Sequence, residues 1–243
     1  MRKYKVGVIG ATGYVGQRFV KLLDGHPWFE TVLVAASARS AGMKYSQSVE
    51  GRWKIGGNIP GSVKDLTVYD ASDVDNYADK VDFVFCAVDM KKDEIRELEE
   101  RIARTETPVI SNNSSHRWTS DVPMIIPEVN PDHASLIEYQ KKRLGTKSGF
   151  IAVKPNCSIQ SYVPALEPLS GFGIEKIFVC TYQAISGAGK TFSEWPEMVN
   201  NVIPYIGGEE DKSEKEPLKI WGTVKEGEVK LSNTLISAQC YRV

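Results

Sequence analysis

Two stretches of this sequence hold residues whose types and spacing could do chemistry. In Lys154-Pro155-Asn156-Cys157-Ser158-Ile159-Gln160 an apolar run gives way to a helix-like segment, and Cys157 stands at the change. A thiol reacts as its thiolate, and the amides of a helix N-terminus stabilise that charge, so the placement suits a nucleophile that forms a covalent intermediate. A structural cysteine at the same place stays open on local context alone. Cys86, in Phe83-Val84-Phe85-Cys86-Ala87-Val88, and Cys180, in Ile177-Phe178-Val179-Cys180, lie inside apolar runs and are expected in the core as small hydrophobes. The second stretch, Lys5 to Gly16, is an apolar strand running into Gly10, Gly13 and Gly16 with Thr12, Tyr14 and Val15 between them, ahead of a helical pattern. Small residues let the backbone approach a pyrophosphate, and the following helix N-terminus holds its charge. Strand, glycines and helix in that order predict dinucleotide binding, with a bare tight turn as the alternative. The end of the next strand, Ala36-Ser37-Ala38-Arg39-Ser40, has no carboxylate for free ribose hydroxyls. Ser37, Arg39 and Ser40 instead offer a guanidinium and two hydroxyls to a 2′-phosphate, so NADP is expected over NAD.

These residues need elements to position them. Through the first half, short β-rich runs at 5–10, 31–37, 82–88, 108–112 and 124–129 alternate with helical patterns, which predicts a mostly parallel sheet with helices on both faces. One helix should run from Tyr14 to Asp24 and end at Gly25. Another, Lys91 to Arg104, sets Ile95, Leu98 and Ile102 on one face and Glu97/Arg101 and Glu100/Arg104 on its surface. A third is announced by Asn130-Pro131 and should stop near Gly145. From about residue 150 the texture changes to longer strands at 150–156, 174–186 and 229–243, with a helix after Cys157. The expected class is α/β: a Rossmann-type, mostly parallel sheet domain over 1–150, then a sheet-rich α+β domain over 151–243. The charge run from Glu209 to Lys219 reads by default as a solvated loop or helix face.

Composition narrows the partners. The chain has 243 residues, 42% of them hydrophobic and 25% charged, with 30 Lys plus Arg against 31 Asp plus Glu. That near-neutral balance gives no overall basic field for nucleic acid or an acidic membrane. No apolar run approaches the ~18 residues of a membrane-spanning helix, and a soluble, cytoplasmic protein is expected. The four cysteines lack the close spacing of a zinc site or disulfide framework, so no metal is expected.

Several motifs in order resemble the aspartate-semialdehyde dehydrogenase family. They are Gly10-Ala11-Thr12-Gly13-Tyr14-Val15-Gly16, Ser37-Ala38-Arg39-Ser40-Ala41-Gly42, Asn113-Ser114-Ser115-His116-Arg117, Pro155-Asn156-Cys157-Ser158, Tyr182-Gln183-Ala184-Ile185-Ser186-Gly187-Ala188-Gly189 and Cys240-Tyr241-Arg242-Val243. The Gly207-Gly208-Glu209-Glu210-Asp211-Lys212 approach and the 113–131 segment resemble the archaeal and fungal branch more than the common bacterial one. The resemblance implies NADPH-dependent reductive dephosphorylation of L-4-aspartyl phosphate to L-aspartate 4-semialdehyde through a thioester on Cys157, a step toward lysine, threonine and methionine. It implies that Gln183 orients the intermediate and that backbone amides, with Asn156 assisting, stabilise the oxyanion. It gives Arg117 to the phosphate, Arg242 to the substrate α-carboxylate, and Glu209 and Lys212 to the substrate amino group and phosphate, Glu210 being an alternative register for Glu209. Ser186, Gly187 and Gly189 are placed at the nicotinamide end of the cofactor, and a homodimer or homotetramer is implied.

The family's acid/base histidine follows the arginine matched by Arg242 and would fall beyond Val243. The resemblance therefore implies an incomplete, weakly active copy whose last strand exposes an edge, and none of His26, His116 and His133 sits where that base belongs. Two enzymes share the architecture. N-acetyl-γ-glutamyl-phosphate reductase has a Gly-Cys-Tyr nucleophile segment, and archaeal malonyl-CoA reductase shares the Ser-Gly-Ala-Gly turn. Asn156 and Glu209/Lys212 weigh against the second. A catalytically silent NADP-binding module is the reading from another class.

Overall fold

A computed structural model describes residues 2–243. The chain divides into two compact units, one running to Pro123 and resuming over Ser135–Lys154, the other comprising Met124–Ala134 and Pro155–Val243.

The first unit is built on six strands: β1 (Tyr4–Ile9), β2 (Phe29–Ala36), β3 (Val68–Asp70), β4 (Phe83–Cys86), β5 (Val109–Ser111) and β6 (Ile151–Val153). Every pairing is parallel, in the order β3-β2-β1-β4-β5-β6. The order reverses between β1 and β4, and in such sheets the crevice at the strands' carboxyl ends is where nucleotides bind. Helices α1 (Tyr14–Leu23), α2 (Tyr45–Ser48), α3 (Lys92–Arg104) and α4 (Leu136–Leu144) accompany the strands. Val6, Val8, Val34 and Val68 are fully or almost fully buried, as strands covered on both faces must be. Val20 and Leu23 of α1 join this core, and Phe19 stacks on Phe85 with ring centroids 4.8 Å apart.

Sequence and structure differ here in four respects. Residues 124–129 hold only an isolated bridge at Met124 and a turn over 127–129, not a strand, because Asn130 turns its side chain back on them: Ile126 N–H donates to its Oδ1, and its Nδ2 donates to the Met124 carbonyl. Asn130 therefore does not cap the helix expected after it. Pro131–Ser135 is a 3₁₀ turn, and α4 starts at Leu136. Strand β3 is three residues long and too short to show a period. Finally, β6 pairs with β5, which carries residues 151–154 into the first unit.

Glu106 locks one edge of this unit. Its backbone is left-handed, with φ 66°, and its carboxylate accepts the N–H groups of Lys147, Ser148 and Gly149. Chiefly through Ser148 and Gly149, these bonds bring the carboxyl down to about 2. A carboxyl depressed on folding contributes stability that is fully present above its unfolded pKa and is lost as pH falls toward 2. Glu106→Gln is expected to lower the urea midpoint at neutral pH and to flatten the decline between the usual carboxylate range and pH 2. Urea titrations of both proteins across that window test this; parallel acid limbs would contradict it.

The second unit holds α5 (Ile159–Leu166), β7 (Lys176–Gln183), α6 (Glu209–Ile220), the antiparallel hairpin β8 (Thr223–Lys225) and β9 (Glu228–Lys230), and β10 (Leu235–Arg242). Strands β7 and β10 pair in parallel from Lys176/Leu235 to Gln183/Arg242. The Glu209–Lys219 run is not a solvated face. It forms α6, which turns Glu209, Ser213, Glu216 and Ile220 inward at helical spacing and packs on β10 and α5. On the edge of β10 away from β7, Ala238 N–H donates to Glu214, Cys240 N–H to Glu210 and Arg242 N–H to the Ile203 carbonyl, so this edge is largely occupied. The β7/β10 sheet is covered on one face only. Phe178 (84% exposed), Tyr182 and Leu235 stand on its open face, where Tyr182 stacks on Tyr241 at 5.4 Å. Cys180 lies on that face too and is exposed, contrary to expectation, because an apolar strand in a half-covered sheet has an outer side. Cys86 is fully buried, as expected.

Candidate active site

The site residues fall into two groups, one in each unit. In the first, β1 ends at Gly10, whose φ of 86° is open to glycine. A Cβ at Gly10 would lie 2.4 Å from the Ala87 carbonyl oxygen, and one at Gly16 only 2.1 Å from the Gly10 carbonyl oxygen. These two glycines let α1 pack directly against the end of the strand. Gly13 is different: it is exposed, and a Cβ there would make an ordinary 3.5 Å contact. It sits at the α1 N-cap, with no side-chain cap and no acidic residue in the first turn, so the helix presents its amides to an anion. Thr12 and Tyr14 are half-buried beside it and Val15 is exposed.

Two residues outside the glycine motif fix this loop. Gln17, 2% exposed, donates from Nε2 to the carbonyls of Thr12 and Arg52 and accepts the Lys54 N–H. The buried Tyr45 hydroxyl donates to the Ala11 carbonyl at 2.9 Å, and burial pushes its pKa up. A lone Gln and a distant Tyr carry no local signal for this role. At the end of β2, Ser37 and Arg39 are exposed and Ser40 is buried, in a turn closed by Ser40 N–H donating to the Ser37 carbonyl. The segment thus presents a guanidinium and a hydroxyl from the strand beside β1. The residues present fit an NADP pyrophosphate and 2′-phosphate.

Arg117 is buried, and its Nε donates to the Lys154 carbonyl. Its turn is braced from below by Glu99, a fully buried side chain of α3. Glu99 Oε1 accepts from Ser111 Oγ at 2.6 Å and Asn113 Nδ2 at 2.8 Å, while Oε2 lies 3.9 Å from His116 Nε2. Burial raises the Glu99 pKa and the Cys86 pKa beside it, and lowers that of His116. Read as a surface helix, α3 gave no sign of this buried carboxyl. His116 and His133 are both enclosed, His116 against Thr119 and His133 between Asn130 and the Gly222 carbonyl.

The second unit gathers the thiol's neighbours. Cys157 is exposed in the turn ahead of α5, whose N-cap is Ser158. Asn156 is buried and held at both ends of its amide: Nδ2 donates to Glu209, 3.1 and 2.9 Å from its two oxygens, and Oδ1 accepts from the Ser158 N–H and hydroxyl. Lys212 Nζ lies 2.7 Å from Glu209 Oε1. Burial alone would raise the Glu209 carboxyl, but Lys212, with the Asn156 and Gln183 amides, outweighs it and holds the group below its ordinary value. Glu209 meets Asn156, Gln183 and Lys212, whereas Glu210 accepts from Cys240 N–H. At the sheet end Gln183 pairs with Arg242, whose Nη1 donates to the Ala184 carbonyl at 2.8 Å. A Cβ at Gly187 would lie 2.7 Å from that nitrogen, so glycine there leaves room for the guanidinium. Ser186 is exposed, and Gly189 closes the turn at φ 70°.

Two family profiles match the chain. The profile described as semialdehyde dehydrogenase, NAD binding domain, matches residues 5–137, and that described as semialdehyde dehydrogenase, dimerisation domain, matches 166–243. A curated protein of Archaeoglobus fulgidus named aspartate-semialdehyde dehydrogenase is 42% identical over 243 residues, covering 99% of this chain and 68% of its own length. The chain belongs to the aspartate-semialdehyde dehydrogenase family. A relative of the same name from Methanothermobacter thermautotrophicus is 42% identical over 98% of this chain and 67% of its own. The crystal structure of the Candida albicans aspartate-semialdehyde dehydrogenase with NADP superposes with a TM-score of 0.86 at 38% identity, over 100% of this chain and 68% of that one. These archaeal and fungal family members match the branch that the motifs resembled, and the chain spans about two thirds of their length.

Proposed function

We propose that the chain is an aspartate-semialdehyde dehydrogenase, converting L-4-aspartyl phosphate and NADPH to L-aspartate 4-semialdehyde, phosphate and NADP. The observation that carries the reading is the convergence of Asn156, Gln183 and Lys212 on Glu209, directly beside the exposed Cys157. Cys157 thiolate attacks the acyl phosphate carbon; the C–S bond forms, the C–O bond to phosphate breaks, and phosphate leaves with the electron pair. Gln183 holds the thioester without changing charge. The Cys157 backbone N–H serves the oxyanion, a donor of this kind being worth ~3–4 kcal/mol, while Asn156, bound to Glu209 and Ser158, positions the turn. Glu209, kept ionised, takes the substrate ammonium, Lys212 takes phosphate, and Arg242 takes the α-carboxylate through its planar fork. NADP(H), when bound, supplies hydride transfer. It would be held by the 10–16 loop and by Ser37, Arg39 and Ser40.

The open face of β7 and β10, within the segment matched by the dimerisation profile, is where a second copy would pair in a homodimer or homotetramer. No described helix is long and apolar enough to cross a membrane.

The direct test supplies aspartate semialdehyde, phosphate and NADP and follows NADPH absorbance, with malonyl-CoA plus NADPH as the comparison. Phosphate-dependent reduction of NADP is expected; faster turnover of malonyl-CoA would overturn the assignment. For the cofactor, Arg39→Ala is expected to weaken NADP binding by about 10–100-fold and leave NAD within about twofold, since only the 2′-phosphate loses a charge-assisted partner. Calorimetric titration with both nucleotides decides this, and equal losses would remove Arg39 from the 2′-phosphate site.

A further inference from the structure

Asn156, the residue before the nucleophile, is gripped at two points by one helix. Its side-chain amide is bound by Glu209, and its backbone N–H donates to Glu216 Oε2 at 2.7 Å. The two carboxylates stand about two turns apart on the inward face of α6, so they hold the same residue from two separate points along the helix. Glu216 is 1% exposed, a burial that a carboxylate tolerates only with partners. Pro155 has no N–H, which makes Asn156 the first residue of the turn whose amide can be held. Asn156 Oδ1 then takes Ser158 N–H at 3.0 Å and its hydroxyl at 2.8 Å, so the backbone on both sides of Cys157 is tied through Asn156 to α6. Glu216 lies outside the segments that carry the family resemblance.

We propose that Glu216 is a positioning residue: by accepting the Asn156 N–H it fixes the peptide orientation at Cys157 and so sets the thiol against the α5 N-terminus. The inference rests on Cys157 being the nucleophile. Its essential feature is an acceptor at one place, not a negative charge. That separates it from an electrostatic role, in which the charge of Glu216 would act on the thiolate, and from a purely structural one, in which the fold would fail.

Cys157 alkylation by iodoacetamide reads the turn without requiring turnover. Rates are measured against pH by peptide mass spectrometry, with glutathione as an internal competitor, in the wild type, Glu216→Gln and Glu216→Asp. The Gln amide oxygen still accepts the N–H, and its rate is expected within about twofold of wild type at every pH. Asp keeps the charge but withdraws the acceptor by one methylene, and about a tenfold slower rate is expected. Buried Cys86 and Cys240 should stay unlabelled in both, showing an intact fold. The proposal stands only on that pattern. An Asp variant as fast as wild type overturns it, as does a Gln variant that is slow or has a shifted pH profile. Labelling of Cys86 or Cys240 in either variant overturns it as well, by assigning Glu216 to the fold. Failure of the underlying reading is visible separately, in the wild type alone: Cys157 would then react no faster than glutathione.

Discussion

Cys157→Ser is expected to lower turnover of aspartate semialdehyde by at least about 10⁴-fold, while NADP affinity and the urea midpoint stay at wild-type values. The size of the effect follows from the chemistry. A hydroxyl at the same place is far less acidic than a thiol, so almost none of it is the anion that must attack the acyl phosphate, and no second group in the turn can take over as nucleophile. The silence in stability follows from the structure. Cys157 is exposed, and an exposed substitution away from caps and cores ordinarily changes stability by no more than about 0.5 kcal/mol. The bonds that hold the turn belong to Asn156 and Ser158, which remain. Cys180→Ser is the natural comparison, since Cys180 is also exposed but lies on the open sheet face, and its turnover should be unchanged. Intact-mass measurement after mixing with aspartyl phosphate and no NADPH gives the second readout: wild type gains one acyl group and Cys157→Ser gains none. Retention of more than about a tenth of wild-type turnover by Cys157→Ser would remove the thioester from the mechanism.

The site was readable from sequence where chemistry is local and obscure where it is tertiary. Gly10, Gly13, Gly16 and Cys157 announce themselves because a strand, a turn and a helix follow one another within a few residues, and each residue type answers to a backbone need or a reactivity. Glu216 and Glu99 do not. Each is an acidic residue in a charged helical stretch, a pattern that solvated helices share, and its role depends on what the opposite element offers: the Asn156 N–H for Glu216, Ser111 and Asn113 for Glu99. Periodicity records apolar faces and is blind to a polar face that is buried because it is satisfied. The same limit explains Cys180. An apolar strand signals that at least one face of a sheet is covered, and β7 reads alike whether its second face meets a helix or stands open. The Rossmann order, in contrast, was legible as a class because parallel strands buried on both faces are continuous apolar runs. Strand β3, three residues long, fell below the length at which such a run can be recognised.

The glycine loop supports a second large effect, and two substitutions three residues apart separate its structural and nucleotide roles. Gly16→Ala puts a Cβ 2.1 Å from the Gly10 carbonyl oxygen and 2.7 Å from the Ala11 Cα. Both are backbone atoms of a loop whose Thr12 and Ala11 carbonyls are bound by Gln17 and Tyr45, so α1 must move away from the strand end. A destabilisation of about 1–3 kcal/mol is expected, with NADP binding lost alongside it. Gly13→Ala meets no such obstacle. Its φ of −75° and ψ of 165° suit any residue, its Cβ would make an ordinary contact, and alanine for glycine at an N-cap costs under about 1 kcal/mol. Yet that methyl group would stand over the helix N-terminus, where a pyrophosphate must come against the backbone, and NADP affinity should fall about 10–100-fold in a protein that unfolds almost as wild type does. Urea unfolding and calorimetric titration with NADP on the two variants distinguish the roles. If Gly13→Ala binds NADP as well as wild type, the loop is only a tight turn, and the cradle for the cofactor must be sought elsewhere along the carboxyl edge of the sheet.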